Sequence, residues 1–393
     1  MASAQLRLQP GALVVGGDYQ GLGIVRSLGR RGIPVCVVDD EWSIARFSRY
    51  ATHVETVADL RDECNAVDAV LAIARRLGLK DWVLFPTRDE LVAAFSRHKH
   101  ELETIFRVPT GDWTSVQWAW DKRNTYRLAE RLGIPTPRTW HPCCVSDLEG
   151  LEHELPLVIK PAIKEHFFYA TKAKAWRTDT PSQLRKAFLS ATSIAPSEIM
   201  VQEFIPGDGQ LQFAYCAFFK DGDAIGSMTV RRLRQHPPDF GRASTYVETV
   251  KRPELQALSK RFLQAIQFYG LVELEYKLDP RNGQFKLLDV NARTWGYHTL
   301  GARAGVDFPY VLFADQVGDP QDSCHAKTGI NWCHMVTDLP TSLLEIINGR
   351  LSACSYFRSL MRCHTEAVFS RDDIMPGIAE LALLPYLAVK RGF

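Results

Sequence analysis

Residues 271–279 (LVELEYKLD) and 284–293 (QFKLLDVNAR) flank the tetrapeptide Pro280-Arg281-Asn282-Gly283. The flanks are strand-like and the tetrapeptide is a turn sequence, which predicts an antiparallel hairpin. Side chains two apart on a strand share a face, so Glu273 and Glu275 point one way, and Asp289, Asn291 and Arg293 share a direction on the partner strand. One sheet face thus gathers acids, an amide and a guanidinium. Hard oxygen ligands on adjacent strands suit magnesium, which keeps several waters and completes its shell with phosphate oxygens. A neighbouring arginine suits a phosphoryl group in transfer. A solvated strand face with cross-strand ion pairs is the alternative for such residues in isolation, and the rest of the chain weighs against it.

Upstream, ALVVGG (12–17) reads as a buried strand and a glycine turn, followed by a helix on the spacing of Leu22, Val25 and Leu28 and stopped at Gly32-Ile33-Pro34. VCVVDD (35–40) is a second strand, and an Ala/Leu-rich helix (66–77) and WVLFPT (82–87) continue a parallel βα alternation. A long amphipathic helix is expected over 116–132, carrying Asp121-Lys122 and ended by GIPTP. Strands follow at 157–162, 172–177 and 199–205, with a helix near 182–190, then strands at 214–219 and 224–233, a loop HPPDFG, and a helix over 254–269. That order is α+β.

A chain of 393 residues exceeds what one core holds, and 46% hydrophobic with 23% charged residues is an ordinary globular balance. The formal charge of +2 gives no reason to expect a nucleic-acid partner. Nine scattered cysteines read as reduced thiols, and no apolar stretch has the length of a membrane span, so a cytoplasmic location is expected. The apolar stretch 378–389, ending in Lys390-Arg391, is expected to dock on the body as a tail helix, with peripheral membrane contact as the lesser reading. A homodimer is compatible with this composition.

Lys160 closes an apolar strand before a proline, where an ammonium reaches a phosphate from a rigid element. MVQEFIPGDG offers main-chain groups to an adenine edge and Asp208 to ribose hydroxyls. The succession D-K, I-K-P, Q-E-F-I-P-G-D, E-L-E and L-D-V-N-A-R resembles the ATP-grasp superfamily over roughly residues 12 to 318. Within it, GLGIVRSLGRRGIPV, FSRY, VLFPTRDE and RRLRQHPPDFGRAS resemble predicted ATP-grasp carboligases of undetermined substrate.

The resemblance implies an α/β pre-ATP-grasp unit with a parallel sheet over 1–115, an α+β ATP-grasp domain of two subdomains over 116–320, and a partly helical C-terminal extension over 321–393. It implies ATP and magnesium, two ions with manganese as a substitute, held by Glu275, a bridging Asp289 and Asn291. Arg293 is expected to steady the phosphoryl group and acyl phosphate, Lys122 and Lys160 the ATP phosphates, Glu203, Phe204 and Ile205 the adenine, and Asp208 the ribose. The implied reaction joins a small carboxylate to an amine through an acyl phosphate, with a kinase, a carboxylate–thiol ligase and a non-catalytic nucleotide-binding regulator as alternatives. The sequence departs from the family in two places. The stretch 162–176, where the family often has a glycine-rich flap, has no glycine and carries Lys164, Lys172 and Lys174, and Asp289 stands where glutamate is commoner.

Arg231 and Arg234, at the end of a strand before the PPDFGR loop, are expected to fork a substrate carboxylate. Trp295 is the one tryptophan expected near the active site. The glycines of GGDYQGLG do not fall at G-x-G-x-x-G, which argues against a dinucleotide fold, and the Cys-His pairs at 324–325, 333–334 and 363–364 match no zinc spacing.

Overall fold

The computed structural model describes residues 10–238, 240–241 and 243–391. Short apolar runs build the first sheet: β1 (Ala12–Val15), α1 (Tyr19–Gly29), β2 (Val35–Asp39), β3 (His53–Thr56), α2 (Glu63–Leu77), β4 (Val83–Pro86), α3 (Asp89–Arg97) and α4 (Lys99–Leu102). The strands lie parallel in the order β3-β2-β1-β4. Helix α2 shows a start and a stop signal: Asp62 caps its N-terminus by accepting from the Asn65 amide at 2.9 Å, and Gly78 ends it at φ +69°. The sequence reading missed β3, whose mostly exposed HVET carries no apolar alternation, and α3.

The long helix expected over 116–132 is two helices, α5 (Trp113–Trp120) and α6 (Lys122–Arg131). Asp121 breaks them with extended backbone and caps α6 by accepting from the Arg123 amide at 2.9 Å. The break lets the Lys122 amide bond Ala162 O at 3.1 Å, which pins the start of α6 to the second sheet.

That sheet holds β5 (Thr139–Trp140), β6 (Leu157–Pro161), β7 (Trp176–Thr178) and β8 (Ile199–Glu203), antiparallel in the order β5-β8-β6-β7. Helix α7 (Lys164–Thr171) follows β6, and α8 (Pro181–Ile194) packs behind. The strand expected over 172–177 forms only from Trp176, because the residues before it make α7 and its left-handed cap, Lys172 at φ +57°.

The third sheet is larger. Its central strands are β9 (Gln212–Lys220), β10 (Asp223–His236), β11 (Ala243–Thr249), β12 (Gly270–Asp279) and β13 (Gln284–Asn291), with α9 (Pro253–Ala265) between β11 and β12. Beyond them come α10 (Thr299–Ala304), α11 (Phe308–Val317), β14 (Cys324–His325), β15 (Asn331–Cys333), α12 (Met335–Ile347), α13 (Ala353–Met361), β16 (Thr365–Glu366), α14 (Met375–Ala382) and α15 (Leu384–Arg391). The sheet runs β13-β12-β9-β10-β11-β15-β16 with β14 beside β10, so the C-terminal extension adds strands to the sheet. Among the described residues no helix is long and apolar enough to cross a membrane.

Trp295 is fully buried and packs edge-on against Phe308 at 4.7 Å, so it belongs to the core that joins the first sheet to the third and lines none of the three clefts described below. The expected tail helix is split into α14 and α15, and the Lys390 and Arg391 side chains fall outside the described residues. Asp373, just before α14, ties the C-terminus to the N-terminal unit. It accepts from Arg26 Nε at 2.9 Å, Ser48 Oγ at 2.7 Å and the Arg49 amide at 2.9 Å, with only 2% of its surface exposed. Asp373→Ala leaves the Arg26 guanidinium buried without its carboxylate. We expect a loss of about 3–5 kcal/mol in urea unfolding, and a loss below about 1 kcal/mol contradicts a structural role for the pair.

Candidate active site

The hairpin register decides which side chains reach solvent. Glu273 pairs with Asn291 and Glu275 with Asp289, but Tyr276 pairs with Leu287, so Leu288 is an extra residue on β13. This bulge breaks the alternation. Leu287 enters the core with Leu274 and Tyr276, whereas Asp289, two residues on, faces a cleft beside Glu275. Tyr126 fixes the bulge by donating its hydroxyl to Leu288 O at 2.8 Å, and accepts from Lys160 Nζ at 2.8 Å.

The first cleft lies between the second and third sheets. Lys122, Lys160, Glu203, Phe204, Ile205, Asp208, Glu275 and Asp289 all line it, so the structure brings together eight of the predicted residues. One end is apolar, with Val158, Phe204, Ile205 and Leu288; Phe240, absent from the sequence reading, lies edge-on to Phe204 at 6.2 Å. The Glu203 carboxylate is already committed to Arg281 Nη2 at 2.9 Å, the Arg138 amide at 3.0 Å and Lys286. The Glu203 amide donates to Arg138 O at 2.9 Å, so Glu203 has only its main-chain carbonyl to offer a ligand. Asp208 caps a short turn by accepting from the Gln210 amide at 2.9 Å.

The other end is charged. Lys122 Nζ stands 2.9 Å from Asp289 Oδ1; burial opposes its charge, but Asp289 outweighs burial and holds the ammonium's pKa up. Arg232 Nη2 lies 3.3 Å from Glu275. Burial pushes the Lys174 ammonium down, against the pull of Glu275. Asn291 Nδ2 donates to Glu273 Oε2 at 3.0 Å and Glu275 Oε1 at 3.1 Å. Burial would raise the Glu275 carboxyl, yet Lys174 and Arg232 hold it well below the usual range. Two carboxylates and an amide converge beside cations, a donor set that fits hard divalent ions.

Arg293 lies past the end of β13 and lines a second cleft, walled by the ends of β1 and β4, by α7 and by the β15–α12 junction. Its guanidinium is bidentate on Asp89, at 2.7 and 3.0 Å, and Lys164 Nζ meets the same carboxylate at 2.6 Å. Burial opposes ionisation of Asp89, but these two cations hold its pKa far below the carboxylate range. Asn291 lines a small third cleft between the other two, with Asp289, Asp89 and Glu165. Lys164 borders all three. Neither it nor Asp89 was assigned a role from sequence; lysines in a glycine-free flap were the only signal.

The structure does not bring Arg231 and Arg234 to either cleft. Arg231 Nε bonds Gln210 O at 2.8 Å on the outside, and Arg234 grips Asp338 at 2.8 and 2.7 Å beneath α12. A register irregularity between Arg232 and Arg234 separates two residues that strict alternation would place on one face. Arg232 is the arginine that faces the first cleft. The glycine turn after β1 is filled by its own chain: the Gly17 amide donates to Asp39 Oδ2 at 2.6 Å, and Arg88 binds Asp39 and Asp40.

Known proteins resemble this chain in sequence and in fold. A family profile described as "ATP-grasp in the biosynthetic pathway with Ter operon" matches residues 198–337. A D-aspartate ligase of Enterococcus faecium is 24% identical over 300 residues, covering 72% of this chain and 70% of that protein. The L-amino acid ligase of Bacillus licheniformis superposes with a TM-score of 0.64 at 16% identity, covering 82% of this chain and 78% of that one. N5-carboxyaminoimidazole synthetase of Staphylococcus aureus, complexed with ADP, superposes at 0.63 and 14% identity over 82% and 81% of the two chains.

Glu273 supplies a test of the site's electrostatics. It is 4% exposed, accepts from Tyr297 and Asn291, and is pushed up to about 7 by burial and then by Glu275. A carboxyl raised in the folded state binds its proton more tightly there than in the unfolded chain, so it lowers stability as pH rises from about 4.5 to about 7. Glu273→Gln keeps the shape without the titration. Its melting temperature should rise relative to the parent's between pH 5 and pH 8, and a difference that stays constant with pH contradicts the assignment.

Proposed function

On the ATP-grasp fold that these likenesses establish, we propose an ATP- and magnesium-dependent ligase that phosphorylates a small carboxylate and transfers the acyl group to an amine, releasing ADP and phosphate. The observation that carries it is the row of side chains from Glu275 and Asp289 through Asn291 to Arg293, which leads from the first cleft into the second with Lys164 at the junction. A reaction that passes the γ-phosphoryl group of a nucleotide to a second substrate is served by two clefts meeting at one charged point.

The first cleft takes the nucleotide. The base lies against Phe204, Ile205 and Phe240 and meets the Glu203–Ile205 main chain, with the ribose toward Asp208. Lys122 and Lys160 hold phosphate oxygens. Glu275, Asp289 and Asn291 would hold magnesium, which would supply charge neutralisation on the phosphates. Arg293 and Lys164 bind the phosphoryl group as it passes to the carboxylate, which enters by the second cleft and places its oxygen in line with the γ-phosphorus. The amine then attacks the acyl carbon and phosphate leaves. Most of the rate gain in such a transfer comes from positioning and charge. Arg231 and Arg234 have no part in this scheme. The E. faecium and B. licheniformis proteins, both amino-acid ligases by name, support the carboxylate–amine reading.

A screen of acid and amine pairs should release ADP and phosphate only when both are present, and Asp289→Asn should abolish that release while the circular dichroism spectrum at room temperature stays that of the folded parent, some stability being lost with the Lys122 partner. AMP and pyrophosphate as products contradict the acyl-phosphate route, and parental activity in the variant removes Asp289 from the metal site. Lys164→Met should lower kcat about a hundred-fold with a small change in the KM for ATP, as for losing one charge-stabilising donor. An unchanged kcat places Lys164 outside the chemistry.

A further inference from the structure

Among the described residues, fourteen of the nineteen large apolar side chains that stand exposed lie between Leu339 and Val389. Their clearest grouping is the hairpin of α12 and α13. Its inner faces close over Arg234: Asp338 of α12 pairs with the guanidinium, and Ser359 Oγ of α13 accepts from it at 2.8 Å. Tyr246 donates to Ser359 O at 2.7 Å, and Tyr356 is buried. At 100° per residue the opposite faces carry Leu339, Leu343, Leu344 and Ile347 on α12, and Phe357 and Met361 on α13. Ile347 is 71% exposed and Met361 89%. Single exposed apolar residues need no explanation, but a concentration of this kind does.

The charges on the same hairpin say what covers it. Arg358 and Arg362 flank Phe357 and Met361, are exposed, and form no ion pair among the described residues; Arg350 sits in the connecting loop against Glu345. The other acid of α12, Asp338, is fully buried under Arg234. An apolar face bordered by unneutralised arginines and poor in exposed acids is complementary to an anionic lipid surface. We propose that the α12–α13 hairpin is a peripheral membrane anchor that seats the protein on anionic bilayers, independently of the reaction proposed above.

The test is flotation of the full chain with vesicles of phosphatidylcholine alone and of phosphatidylcholine with phosphatidylglycerol, followed by gel filtration. We expect binding to the anionic vesicles only, weakening as salt rises. Arg358→Gln with Arg362→Gln should weaken that binding about thirty-fold, from about 1 kcal/mol for each charge at the surface. Phe357→Ser with Met361→Ser should abolish it with no change in melting temperature. Failure to float on anionic vesicles overturns the proposal. So does equal binding to neutral vesicles, or a dimer in gel filtration that the Phe357/Met361 variant converts to monomer, which assigns the face to a second copy.

Discussion

One carboxylate joins the three parts of this molecule. Asp89 opens α3 in the N-terminal unit; it is gripped by Arg293 at the end of the large sheet and by Lys164 at the start of α7 in the small-sheet subdomain. Desolvating a carboxylate is expensive, and only paired cations at hydrogen-bonding distance offset the cost. The geometry therefore holds only while all three elements are in place. Asp89 lies between the two cations that the proposed reaction assigns to the transferred phosphoryl group.

Much of the fold was legible because its signals are local. Alternation around PRNG gave the hairpin, and short Val- and Leu-rich runs gave β1, β2 and β4. Break points were harder. Asp121 looks like one more polar residue on an amphipathic helix, yet its capping bond divides α5 from α6 and aims Lys122 at the cleft. Nothing in 162–176 but its missing glycines announces α7.

The site was legible where strand alternation holds and illegible where it fails. Glu275, Asp289 and Asn291 were read as one face, and the register pairs them so. Alternation alone would also put Leu287 on that face, and the Leu288 bulge is what removes it. The same rule misled at β10, where an irregularity after Arg232 carries Arg234 under α12 and leaves Arg232 in the cleft. Contacts between distant segments, such as Asp89 with Arg293 or Asp373 with Arg26, have no signature in sequence spacing.

The central claim is that a carboxylate oxygen attacks the γ-phosphoryl group where the two clefts meet. It is tested most directly by following that oxygen: an acid that supports turnover is labelled with ¹⁸O in its carboxylate, and the released phosphate is examined by ³¹P nuclear magnetic resonance. The account predicts one labelled oxygen in each phosphate released. Label retained wholly in the amide and unreacted acid, or found in AMP, contradicts it.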